Sequence, residues 1–184
     1  HTYTKKVRAI AARIMARPQD LIMWRRLMGP IQVLVLLLHP LAALLVIREF
    51  VRQREWRKQS VALKGAERAA ALELHETEGE RLFRLVIAVI CLAFIARIAS
   101  TFLASEDLGF RTLIPGHFHG WSGLLGLILM TYLWSLGRKT RAKKVAGESF
   151  ARMKESHGRL SDLMMGLIII HAFLGFLYLL QLIM

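Results

Sequence analysis

The chain has 184 residues, 55% of them hydrophobic, a mean hydropathy of +0.42 and a formal net charge of +13. A soluble domain averages about 45–50% apolar residues even with Gly counted. Here the excess is gathered into four long runs, which excludes an ordinary water-soluble enzyme. The single cysteine, Cys91, excludes a disulfide framework and a thiolate metal cluster. Composition leaves a small integral membrane protein with basic surfaces.

In chain order, residues 1–28 form a basic arm. Val7, Ile10, Ala11 and Ile14 share one helical stripe, while Lys5, Lys6, Arg8, Arg13 and Arg17 fall largely elsewhere. That pattern suits an amphipathic interfacial helix lying on anionic lipid. The arm reads either as the mature end left by a cleaved targeting peptide or as a solvated basic tail. Residues 29–184 read as the membrane domain. A hydrocarbon core of about 30 Å needs roughly 20 apolar helical residues, and spans at about 31–50, 82–105, 112–137 and 160–184 supply them. None of these runs alternates apolar with polar residues, so strands are excluded. Four helices satisfy their backbone groups internally. The expected fold is all-α, an integral membrane four-helix bundle preceded by the interfacial helix. Pro40 should kink the first span beside His39. The stretch 60–84, rich in Ala, Leu and Glu, reads as a helix broken near Gly79, with its charges on a solvated face.

With four spans both termini share one side, face A, and the connections 48–84 and 138–159 share the other, face B. Face B carries 17 of the 26 Lys and Arg residues and face A carries nine. The positive-inside rule therefore places face B in the cytoplasm, matrix or stroma.

Chemistry has few candidates. The chain has no phosphate-cradling Gly loop, no His-Glu-x-x-His, no Cys-x-x-Cys and no nucleophile elbow. Basic residues flank the spans and lack interleaved surface aromatics, which favours anionic lipid over nucleic acid. The acids form no catalytic pair, with Glu106, Asp107 and Asp162 at span ends and the rest outside. Ionisable residues inside a membrane, in contrast, are rare and usually face the bundle interior. His39 lies in span 1, His117 and His119 open span 3, His157 precedes span 4 and His171 lies within it. A neutral imidazole can ligate haem iron or the magnesium of chlorophyll through one nitrogen. At 1.5 Å per residue His39 lies roughly 12 Å below face A and His119 roughly 5–10 Å. These two are the expected axial ligands, and His171, about 20 Å below face A, matches the level of His39 less well. His157 is on face B, where the only available partner is His75, outside the apolar run. Gly123 follows His119 at i+4 and Gly175 follows His171 at i+4. Each could leave room for a flat macrocycle, or permit close helix packing. Arg97, in the face A half of span 2, could meet a carboxylate substituent such as a haem propionate, or snorkel to the interface. Trp24, Trp121 and Trp134 read as interfacial anchors and Cys91 as a small apolar filler.

His39-Pro40 in span 1, His119-Gly120 at the start of span 3 and the closing span from His157 to Gln181 resemble a family of uncharacterised four-helix membrane proteins of cyanobacteria and plastids. That family is itself distantly similar to the two-haem transmembrane cytochromes b that oxidise ascorbate. The resemblance implies a four-helix bundle in a photosynthetic membrane with histidines for tetrapyrrole ligation. In one respect the chain departs from it. The family pattern has a His at the face B start of span 2, where this chain reads Glu80-Arg81-Leu82-Phe83-Arg84. Losing that ligand weighs against a two-haem relay. The first expectation is therefore a non-enzymatic accessory subunit of a larger complex, a photosystem or antenna in the plastid thylakoid. It would bind chlorophyll through His39, His119, His171 and His157, with the connections on the stromal side. The second is a haem b electron carrier.

Overall fold

The computed structural model describes residues 30–103 and 109–183. They form α1 (Pro30–Ala62), α2 (Gly65–Leu103), the single turn α3 (Phe110–Leu113), α4 (Phe118–Val145) and α5 (Ala151–Ile183). No strand occurs among the described residues. The basic arm, Trp24, Glu106 and Asp107 lie outside them. Residues 1–37 and 38–184 are separate compact units. Of the first, only the opening turns of α1 are described, and everything below concerns the second.

Three helices, α2, α4 and α5, are long and apolar enough to cross a membrane. Their outward faces agree with that. Ile95, Phe102, Ile128, Ile169, Phe173 and Phe176 are all more than half exposed. A water-soluble monomer rarely shows so extended an apolar surface, whereas a bilayer solvates it without cost. The protein is therefore a membrane protein built of helices.

The closest packing is between α4 and α5. They meet at small residues in an antiparallel register: His119 lies against Gly175, Gly123 against His171, Gly126 against Leu167 and Gly137 against His157. A missing Cβ at each crossing lets the neighbour's side chain lie on the helix backbone, the usual device of membrane helix pairs. Helix α2 packs on α4. Helix α1 joins through long side chains, with Phe50 entering a cluster that also holds Leu82, Met130, Leu133 and Met164.

Several local expectations need correcting. Helix α2 runs unbroken through Gly79. One glycine costs a helix interior only about 1 kcal/mol, and on either side Glu76, Glu78 and Glu80 are tied to neighbouring helices. Arg141 pairs with Glu76 at 3.0 Å, Arg52 with Glu78 at 3.1 Å, and the Trp134 indole N–H donates to Glu80 at 2.8 Å. These acids thus bind α2 to α1 and α4 and do not form a solvated face. Trp134 is half-buried and stacks on Phe83 at 4.4 Å. The third span starts at Phe118, later than 112, because Pro115 cannot continue a helix and disfavours helical backbone before it. Cys91 is exposed on the outer face and fills no core space.

Candidate functional site

Three helices deliver one histidine each to a common point. His39 on α1, His119 on α4 and His171 on α5 each place one ring nitrogen within 4.8 Å of the other two. The rings of His119 and His171 stack with centroids 4.1 Å apart, and His39 stands edge-on to His119 at 6.0 Å. The Gly positions are used differently from the sequence expectation. Gly175 takes the imidazole of His119 and Gly123 that of His171, so each glycine makes room for the partner helix's histidine, not for a macrocycle beside its own.

Hydrogen bonds fix the tautomers. Nδ1 of His119 lies 3.1 Å from the backbone carbonyl of His171. A carbonyl only accepts, so Nδ1 carries the proton and Nε2 keeps its lone pair. The Ser122 hydroxyl donates to the carbonyl of His119 at 2.8 Å. With its one proton committed there, its contact with Nδ1 of His171 at 2.9 Å has the imidazole as donor. Nε2 of His171 is therefore also a free lone pair. His39 has a buried Nδ1 without a hydrogen-bond partner, and its ring also senses the backbone of Val89 on α2. Oriented imidazoles with a supporting bond on the far nitrogen are the usual arrangement of metal-ligating histidines.

His117 belongs to a different set. Its Nδ1 accepts from the Gly120 N–H at 3.1 Å, capping α4, and its ring stacks on Tyr178 at 4.1 Å. Arg97 is placed where its charge acts on His117. Among the described residues Arg97 forms none of the ion pairs.

A second histidine pair stands at the other end. His157 donates from Nδ1 to the Leu133 carbonyl at 3.1 Å and lies against Gly137, repeating the His119 arrangement. His75 on α2 is close enough to interact electrostatically with it. The His75 ring stacks on Trp56 of α1 at 5.5 Å and its Nδ1 is buried without a partner. His75, the face B partner expected for His157, thus lies within electrostatic reach of it. His75 sits five residues before Glu80, on the part of α2 that extends beyond the apolar run. His75 precedes Val89 by fourteen residues, and His157 precedes His171 by the same fourteen, so both helices step between the two levels equally.

The sequence expectation therefore named His39, His119, His171, His157 and Arg97, and the structure brings the first three together and sets His157 at a separate level. It named His75 as the only available face B partner of His157, and it missed Ser122 and Gly137. Comparison with known protein families, with characterised proteins and with solved structures finds no match to this chain.

Proposed function

We propose that this membrane bundle binds tetrapyrrole through its histidines and works as a haem b electron carrier. The observation that supports this reading is the convergence of His39, His119 and His171 at one level of the bundle, with His157 and His75 towards its other end. The residues fit the group. Two imidazoles sharing one metal at about 2 Å on each side have ring centroids about 6 Å apart, and His39 and His119 stand at 6.0 Å. Bound iron would supply one-electron chemistry, and the chain's own part is to hold His119 and His157 in the Nδ1–H tautomer, to exclude water and to present Arg97 to a carboxylate substituent.

The third histidine favours a second reading. A bis-imidazole site uses two of the three nitrogens at the His39 level, and chlorophyll needs a single axial ligand, which His171 offers. On that reading the protein is a non-enzymatic accessory subunit of a photosynthetic complex in a plastid thylakoid, its apolar faces covered by a photosystem.

The test is an absorption spectrum of the gently solubilised full chain with a reduced-pyridine haem assay on the same sample. Reducible haem bands support the carrier. Chlorophyll bands that travel with a large complex support the accessory subunit. A colourless protein that takes up neither pigment sinks both.

A further inference from the structure

We propose that the cleft between α1 and α5 at Arg54, Arg57 and Lys58 is a binding site for the headgroup of an anionic phospholipid. Arg54 donates to the Ser161 carbonyl at 2.6 Å and to Oδ1 of Asp162 at 2.7 Å, and Arg57 donates to the same Oδ1 at 2.7 Å. Two guanidinium ions on one carboxylate oxygen leave one positive charge uncompensated. Lys58 adds another and Glu55 on the rim removes one, so the cleft keeps a net positive charge. The Arg57 side chain is 52% exposed. Its guanidinium has N–H groups to spare in the planar fork that suits phosphate. The cleft, about 460 Å³, is walled on its membrane side by Val51 and Met165. Leu44 lies two helical turns from Val51 and Ile169 one turn from Met165, on the same faces. They are 60% and 62% exposed and extend the apolar wall into the bilayer. A cationic notch continuous with an apolar track matches an amphiphile. A free phosphate would use only the notch. Basic pockets between membrane helices hold anionic headgroups in this way. The inference does not depend on the tetrapyrrole reading, since no histidine takes part in the cleft.

The experiment is native mass spectrometry of the full chain, delipidated and then exposed to nanodiscs of phosphatidylcholine with phosphatidylglycerol. Preferential retention of phosphatidylglycerol is expected. The double variant Arg57→Gln/Lys58→Gln should reduce that retention about tenfold through loss of a charge-assisted phosphate contact. Lys139→Gln/Lys144→Gln, an equal charge change elsewhere on the same side, should leave it in place. Val51→Trp, which fills the apolar wall and alters no charge, should also reduce it. Lys58→Gln alone, at an exposed side chain, keeps the test open if the double variant does not fold. The proposal is overturned if both lipids are retained equally or if the control variant loses as much as the cleft variant. It is equally overturned if inorganic phosphate displaces the lipid and Val51→Trp has no effect, which would mark a simple anion site.

Discussion

A Cβ on Gly175 would stand 2.7 Å from Cε1 of His119 and 3.0 Å from its Nδ1. The imidazole cannot easily give way, because it is held by the His171 carbonyl and stacked on the His171 ring. Gly175→Ala is therefore expected to cost about 1–3 kcal/mol, the usual penalty of overpacking. Gly126→Ala is the internal control, since its Cβ would meet only Leu167 at 3.8 Å, an ordinary contact. Relief of the glycine helix penalty, about 1 kcal/mol, should make that variant neutral or stabilising. Thermal melts of both in one detergent decide it, and equal melting points would refute the notch. Ser122→Ala tests the tautomer in the same way. It leaves Nδ1–H of His171 without its acceptor, so a loss of about 1–3 kcal/mol is expected, with a change in the ¹⁵N shifts of that ring. An unchanged ¹⁵N pattern would show that Ser122 does not set the tautomer. Sequence pattern could find these glycines but not assign them. In an antiparallel pair, a glycine one turn from a histidine on its own helix sits level with the partner's histidine, and cross-helix register is not written in either helix alone.

At the scale of the helix, the start of α4 depends on a titratable cap. His117 has extended backbone, φ −147° and ψ 159°, and its Nδ1 takes the Gly120 N–H. Partial burial first, then the charges of His119 and Arg97, hold its pKa below the ordinary 6.5. Protonation would remove the accepting lone pair and put a positive charge against the positive end of the helix dipole. The sign follows from the depressed folded value. Above pH 6.5 both folded and unfolded chains carry the neutral ring. As pH falls below it the unfolded chain binds the proton first, so stability is lost down to the folded pKa and levels off beneath it. His117→Asn should keep the cap and flatten this part of the stability–pH curve, and His117→Ala should cost about 1 kcal/mol at neutral pH. Melting curves between pH 5 and 8 check both, and an Asn variant with the wild-type slope would contradict the assignment. The existence of the long helices was legible because an apolar run of spanning length has few other uses. Their ends were less so. Pro115 announced a break that the apolar run concealed, whereas Gly79 suggested one that the ties of Glu76, Glu78 and Glu80 prevent.

Across the whole molecule, the apolar cluster lies between the two histidine levels on every long helix. Phe50 falls between His39 and Trp56 on α1, Met130 and Leu133 between His119 and Gly137 on α4, and Met164 between His157 and His171 on α5. On α2, Leu82 falls between His75 and Val89. Fourteen residues at 1.5 Å per residue separate the levels by about 21 Å along the axis. Among the described residues the levels share no side chain in their ring contacts and hydrogen bonds. Sites so separated and insulated should be lost one at a time, because substitutions this far apart behave independently. On the carrier reading, His39→Leu is expected to remove the centre at its own level and leave about half of the bound haem, and His75→Leu the same for the other. The double variant should be empty. Reduced-pyridine haem per chain, measured with the redox titration of each single variant, separates the cases. Two centres should give two titration steps in the parent and one, different, step in each variant. His75 decides the matter, for in the sequence it was a partner for His157 lying outside the apolar run, and its worth depends on α2 holding the helix past Gly79 to carry it towards His157. If His75→Leu leaves both steps intact, the lower pair is a packing device, and the protein has at most the His39 level with which to bind a cofactor.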